Sequence, residues 1–366
     1  MRKQILGVWH RPNSGEKEGT LEGLCSVLDE FYAAGINLVF LETFYHGMSV
    51  MRSELVPYSE KLRDFTYGNY PDYLTAFVTE AKKRGIEVHA WVQDFYVGVD
   101  EDTPLVRDHA DWMLFNQHGE MRHTTEGQGF GGYLFLDPSS PDVREFLGRL
   151  YDEILTKVPD LSGLNLDYIR YPVSDFLQNT DTGYTERSML AFAERFGLTL
   201  ARENMREDLV RQIRESDLLD RWIAYRSDFV SDFVKQIRDM LNERHPGKLI
   251  STAVFPEISQ SYNLKKQNIG YWLDNRYIDM VTPMVHFYEG AKVYEAVKNL
   301  KSMCGDVRCY AGLYTTYHSQ TIDELSSHIK ASEDAGAEGV VLFDSAKTFY
   351  ENKEDYLGFL SERFGK

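Results

Sequence analysis

Cysteine is scarce in this chain: Cys25, Cys304 and Cys309 are the three in 366 residues. An odd number without Cys-x-x-Cys spacing supplies neither a disulfide framework nor a cysteine zinc site. No apolar run approaches the roughly 20 residues that cross a bilayer as a helix. The run Ile5–Trp9 near the start is too short for the core of a signal peptide, so with Met1 as the natural start the chain is expected in the cytoplasm. Positive charge is also short, with 40 Lys and Arg against 57 Asp and Glu and a net charge of −17. Nucleic-acid backbones and anionic membranes select basic surfaces, so neither is an expected partner. No Gly-x-Gly-x-x-Gly or P-loop follows an apolar run, which argues against a nucleotide. No cofactor is expected, and self-association stays open.

What is present is a surplus of aromatics, 23 Tyr, 21 Phe and 5 Trp, and a rhythm. Helical segments end in glycine and a short β-type run follows: Gly35 before Ile36–Leu41, Gly85 before Ile86–Val92, Gly163 before Leu164–Asp167. Gly247, Gly305 and Gly336 precede Leu249–Phe255, Val307–Tyr314 and Gly339–Phe343 in the same way. Glycine after a helix supplies the left-handed cap that turns the chain toward the next strand. With Ile5–Trp9 and Ile278–Val285 the runs number eight. Thr20, Pro71, Pro141 and the Thr321–Glu324 capping-box pattern mark helix starts between them. Eight strand–helix units in one chain predict an α/β fold of the (β/α)8 type, a TIM barrel forming one domain over residues 1–366. Two stretches exceed a minimal barrel. Residues 95–140, after strand three, carry Gly127-Gln-Gly-Phe-Gly-Gly132; residues 173–245, after strand four, read as mostly helical. Both leave from the face where barrel chemistry sits, as walls of a cleft or as an interface between copies.

The strand exits then define a candidate pocket. They offer Trp9, Glu42, His46, His89, Trp91, Gln93 and Asp94, and on the other side Asp167, Tyr168, Arg170, Glu257, His286, Tyr314, Tyr317 and Asp344. Aromatic rings cover the C–H faces of sugars, and carboxylates with arginine hold hydroxyls. Glycoside hydrolysis needs two carboxyls flanking the scissile bond, one protonated and one ionised. Asp167, after the run Gly163–Leu166, is the first choice for the ionised member, with Arg170 to lower its pKa. Glu257 is the first choice for the acid, with Phe255 and Pro256 to desolvate it. Asp94, Glu42 and Asp344 are rivals for that role. Trp91 is expected to be a stacking platform, with His89 beneath it. The first strand ends Trp9-His10 without the His-x-His of metal-dependent hydrolase barrels, so no metal is expected. A barrel that binds saccharide without cutting it is the competing reading.

Longer segments carry a resemblance. Gly35–Val39, Lys83–Trp91, Leu136-Asp-Pro138 with Pro141 and Val143-Arg144, Leu166–Pro172, and Trp272 with Ile278-Asp279 and Pro283-Met284 are similar to the glycosyl-hydrolase-like family 10 domain proteins. That bacterial barrel group is distinct from the xylanases numbered 10. The resemblance implies a (β/α)8 barrel and glycosidic-bond hydrolysis, some relatives being similar to enzymes that cut peptidoglycan glycan strands stripped of peptides. It carries the fourth-strand Asp over to Asp167, and the third-strand His-Ala-Trp to His89 and Trp91. The chain departs from the pattern in showing no export signal and in the size of its helical insertion. Either a cell-wall glycan or a cytoplasmic oligosaccharide is compatible with it.

Overall fold

The computed structural model describes residues 4–12, 17–315, 321–346 and 353–365. The eight apolar runs form eight parallel strands: β1 Ile5–His10, β2 Leu38–Tyr45, β3 Glu87–Gln93, β4 Gly163–Asp167, β5 Leu249–Val254, β6 Met280–Pro283, β7 Arg308–Tyr314 and β8 Gly339–Phe343. Each pairs with the next, and β1 pairs with both β2 and β8, so the sheet closes into a (β/α)8 barrel. Tyr317 lies outside the described residues.

Alternation along each strand decides what faces where. Trp9, Phe40, Trp91, Ala253, Met280, Tyr310 and Val341 point inward and fill the barrel. Their neighbours Val8, Val39, Leu41, Val88, Val92 and Val340 point outward into the larger core under the helices. Burying each such side chain contributes about 1.5–3 kcal/mol. At Gly163 a Cβ would lie 2.0 Å from the Leu249 carbonyl oxygen, so only glycine lets β4 start this close to β5.

Helix starts follow the local chemistry. Thr20 caps Leu21–Ala33 by accepting from the Gly23 N–H. Pro141 opens Pro141–Lys157, and Thr321 with Glu324 forms the capping box of Ile322–Asp334. At the second helix the cap is Asp72, which accepts from the Thr75 N–H, and Pro71 stands just ahead of it. An aspartate that can accept a hydrogen bond outcompetes the proline for the boundary.

The stretch after β3 folds into a small antiparallel sheet of Tyr96–Gly98, Arg122–His123 and Tyr133–Phe135. After β4, helices Glu186–Phe196 and Met205–Glu215 build a separate small core around Phe192, Leu209, Ile213 and Trp222. The long helix Leu219–Arg244 serves both layers. Trp222 and Tyr225 belong to that small core, whereas Val230, Phe233, Val234, Ile237 and Leu241 pack on the barrel. The two excursions are stitched together. The Gln117 N–H donates to the Asp181 carbonyl at 3.0 Å, the Gly183 N–H to Phe115 at 2.9 Å, and the Thr125 hydroxyl to Val173 at 2.6 Å. Among the described residues no helix is long and apolar enough to cross a membrane.

Candidate active site

The C-terminal ends of the strands surround a cleft of about 750 Å³. Besides Glu126 from the excursion after β3, two strand-borne carboxyls stand in its wall, Glu42 from β2 and Asp167 from β4. Between them runs β3, whose register sets Trp91 beside Glu42 and Gln93 beside Asp167. Glu42 Oε1 accepts from Arg11 Nε at 3.2 Å and from Gln93 Nε2 at 3.1 Å. Asp167 Oδ2 accepts from the Trp91 indole N–H at 3.0 Å, and its Oδ1 from the Tyr168 backbone N–H at 2.8 Å. Burial raises both carboxyls above the ordinary range. Arg11 opposes the rise at Glu42 by direct contact; at Asp167 the two hydrogen bonds oppose it first, and Arg170 and Arg11 act only through their charge.

The walls are aromatic and cationic. Tyr168 adopts a left-handed backbone, φ 52°, which no glycine relieves. Its ring stacks on Tyr96 with centroids 4.5 Å apart. Arg170 lies over Tyr168 at 4.7 Å and holds Glu126 through two parallel bonds of 2.8 and 2.9 Å. Burial would lift Glu126, but the charge and bonds of Arg170 outweigh it and keep its pKa low. On the far side Tyr314 stacks parallel to Phe343, and the His286 ring sits 4.5 Å from Tyr314. His46 is held below the usual histidine range by burial first, then by the Arg11 and Lys61 charges.

Of the predicted site residues, Asp167, Glu42, His46, Trp91, Gln93, Tyr168, Arg170, His286 and Tyr314 line this cleft. Asp344 stands just behind it, 2% exposed, bonded to Arg11 Nη1 at 3.1 Å. Four others sit elsewhere. Glu257 is exposed at the start of helix Ile258–Lys265, outside the cleft, so Phe255 and Pro256 do not desolvate it. Asp94 follows inward-facing Gln93 and therefore faces outward, where it is buried against the Tyr151 hydroxyl at 2.8 Å. Trp9 and His89 lie inside the barrel below the cleft. The Trp9 N–H donates to Asn165 Oδ1 at 3.1 Å, and His89 Nδ1 meets Ser251 Oγ at 3.1 Å. The expected pairing of Arg170 with Asp167 is replaced by the Arg170–Glu126 fork, and the Asp167 pKa moves up rather than down.

Trp91 also departs from the expected platform. It is 1% exposed, with the Arg11 guanidinium 5.1 Å from its ring centroid, so no open face remains for a sugar. Its contribution is the N–H on Asp167. Trp91→Phe keeps a ring in the packed layer and removes a donor that favours the ionised carboxylate. The Asp167 pKa is therefore expected to rise further, read from the carboxyl carbon shift in an NMR titration with Asp167→Asn to assign the signal. An unchanged titration would show that the indole bond does not tune the carboxyl.

Arg11, Lys61, Glu126, Phe255 and Phe343 also line the wall and were not among the predicted residues. Arg11 had a signal: it follows outward-facing His10, so alternation turns it toward the axis. Glu126 had none, because an irregular excursion carries it in. Among the described residues no three His, Cys, Asp or Glu gather as a group able to hold a metal ion.

Known proteins resemble this chain at two levels. In sequence it is 27% identical over 161 residues to glycosyl hydrolase DigH of Escherichia coli (strain K12), covering 42% of this chain and 35% of that protein. It is 26% identical over 156 residues to glycosyl hydrolase YngK of Bacillus subtilis (strain 168), covering 40% and 27%. The matched stretch thus spans about a third or less of those relatives' length. In structure, the catalytic domain of β-amylase from Paenibacillus polymyxa superposes with a TM-score of 0.65 at 11% identity, covering 98% of this chain and 97% of that one. The β-galactosidase of the psychrophile Marinomonas ef1 gives 0.65 at 14% identity, covering 98% and 59%. At such identities the structural likeness is one of fold. The pattern of the family described as Glycosyl hydrolase-like 10 matches residues 7–329. That span runs from within β1 into the helix that follows β7, so the likeness takes in seven of the eight barrel strands: this chain belongs to the Glycosyl hydrolase-like 10 family.

Proposed function

We propose that the protein hydrolyses glycosidic bonds of an oligo- or polysaccharide, with Glu42 and Asp167 as the working pair of carboxyls. The observation that carries the reading is Glu42 and Asp167, two desolvated strand-end carboxyls in one aromatic cleft, of which only Glu42 bonds a guanidinium. Glycosidases need such a pair with unequal proton affinity. Arg11 on Glu42 favours its ionised form, which suits the base or nucleophile. Asp167 has no cation within bonding distance and suits the acid that protonates the leaving oxygen. This reverses the role expected for Asp167 from sequence, because the nearest arginine is committed to Glu126. The family, glycosyl hydrolase-like by name, and the two relatives named glycosyl hydrolases support the reaction class.

Incubation with chitooligosaccharides, denuded peptidoglycan glycans and α- and β-glucans tests the reading through release of reducing ends. Hydrolysis that disappears in both Glu42→Gln and Asp167→Asn supports it. Micromolar binding measured by calorimetry, with no reducing ends released, would instead establish a saccharide-binding barrel.

A further inference from the structure

The glycine-rich tip of the excursion after β3 has no part in the assignment above. Gly127, Gly131 and Gly132 all take left-handed backbones, with φ of 64°, 75° and 102°. Three backbone bonds close the turn: Phe130 N–H to Gly127 at 2.8 Å, Gly131 to Gln128 at 3.3 Å and Gly132 to Gly127 at 3.1 Å. A Cβ at Gly127 would lie 2.1 Å from the Tyr133 ring, so the tip is fitted against the wall. This built turn presents Phe130 at 68% exposure, while Glu126, Gly127 and Tyr133 beside it line the cleft. Past the exit of β6, Tyr288 is 66% exposed, two residues beyond cleft-lining His286. Thr125 and Glu126 tie the base of the tip to Val173 and Arg170 past the exit of β4, and Tyr288 follows β6, so the exit of β5 separates the two rings around the mouth.

We propose that Phe130 stacks against a sugar in an outer subsite, and that the substrate is a chain longer than the cleft, crossing the mouth from the Phe130 tip toward Tyr288. The inference rests on the cleft being a saccharide site. A sugar chain fits better than a protein partner. A lone ring between glycines offers one flat stacking face, whereas a stable protein interface buries on the order of 1,000 Å² or more with several anchors. A flat ring is what the C–H face of a pyranose requires, and the ring adjoins a cleft whose own wall is aromatic.

The test uses chitooligosaccharide and malto-oligosaccharide ladders, from disaccharide to octasaccharide, with wild type, Phe130→Ala and Phe130→Trp. Calorimetry gives the affinity and, where turnover occurs, KM and kcat are read separately. For the ladder the protein accepts, wild-type affinity is expected to keep rising past the length the cleft holds. Phe130→Ala should weaken the longest chains about tenfold, in line with aromatic platforms elsewhere, with the shortest chains and kcat unchanged. Phe130→Trp should retain the wild-type length dependence. Equal affinities for Phe130→Ala and wild type at every length overturn the subsite. An equal loss at every length also overturns it, since the ring would then act on the cleft itself. Length-dependent binding without turnover keeps the subsite and removes the hydrolase reading. If neither ladder binds wild type while another saccharide of the panel does, the same length series is run on that saccharide; if none binds, the saccharide cleft and the subsite fall together.

Discussion

Asp167→Asn is expected to lower kcat/KM on unactivated saccharides by roughly 10²–10⁴-fold, the usual worth of a general acid. The fold should hardly notice. The amide keeps an acceptor for one of the two N–H donors, and the change removes a carboxyl that burial already disfavours in its charged form. Leaving groups separate the roles. An aryl glycoside with a good leaving group needs little protonation, so Asp167→Asn should lose far less on nitrophenyl substrates. Glu42→Gln should lose equally on both, and added azide should restore it in part by replacing the missing nucleophile or base. The pH profile should be bell-shaped. Activity falls as pH rises through the pKa of the acid and as pH drops through that of the base, the two limbs belonging to the pair rather than to either residue. Glu257→Gln serves as a control and should stay within about twofold of wild type, because an exposed carboxyl outside the cleft cannot reach the scissile bond. A tenth of wild-type activity surviving in Asp167→Asn on an unactivated substrate would end the assignment.

The fold was legible because a barrel repeats one physical unit. Each apolar run bounded by glycine has one packing solution, and eight of them close a ring. The site was legible only where that regularity held. Asp167, Gln93 and Glu42 share inward parity with Trp91, and the register of β2, β3 and β4 brings them together. Asp94 was misplaced by one residue of alternation. Glu257 was misplaced because β5 has already given way to a helix start at that point. Glu126 sits some 30 residues into an irregular excursion, where no periodicity says which side chain returns. Its bonds to Arg170 in turn leave Asp167 without the expected cation, so a single long-range ion pair alters the surroundings of a carboxyl whose place at the strand exit was legible.

The largest effect on stability is expected away from the carboxyls. Asp181 and Arg226 are both fully buried and bond at 2.7 Å, Arg226 also lying 4.6 Å from the Trp222 ring. The Trp222 and Tyr184 side chains donate to Asp181 Oδ2 at 2.8 and 2.9 Å, and Lys266 Nζ stands 4.0 Å from its other oxygen. Asp181→Asn leaves the guanidinium buried without a counter-charge, a change that costs about 3–5 kcal/mol where measured in other proteins. Denaturant unfolding should show it, either across the main transition or as an earlier one for the small core of Phe192, Leu209 and Trp222. The pH dependence carries a sign. Burial would raise the Asp181 pKa, but Arg226, then Lys266, outweigh it and hold the folded value below the ordinary one. Its stabilisation is therefore complete above the unfolded value, about 3.9, and fades as pH falls through the lower folded one. The gap between wild type and variant should narrow at those acid pH values. Asp181→Leu with Arg226→Leu should recover only part of the loss, because it removes the stranded guanidinium but leaves Lys266 without its counter-charge and the Trp222 and Tyr184 donors without their acceptor. Function should follow, since the Asp181 carbonyl accepts from Gln117 and ties the two excursions whose contacts at Glu126, Arg170 and Val173 form one wall of the cleft. A single variant within about 0.5 kcal/mol of wild type, the range of an ordinary surface change, would mean that the pair does not hold the insertion in place.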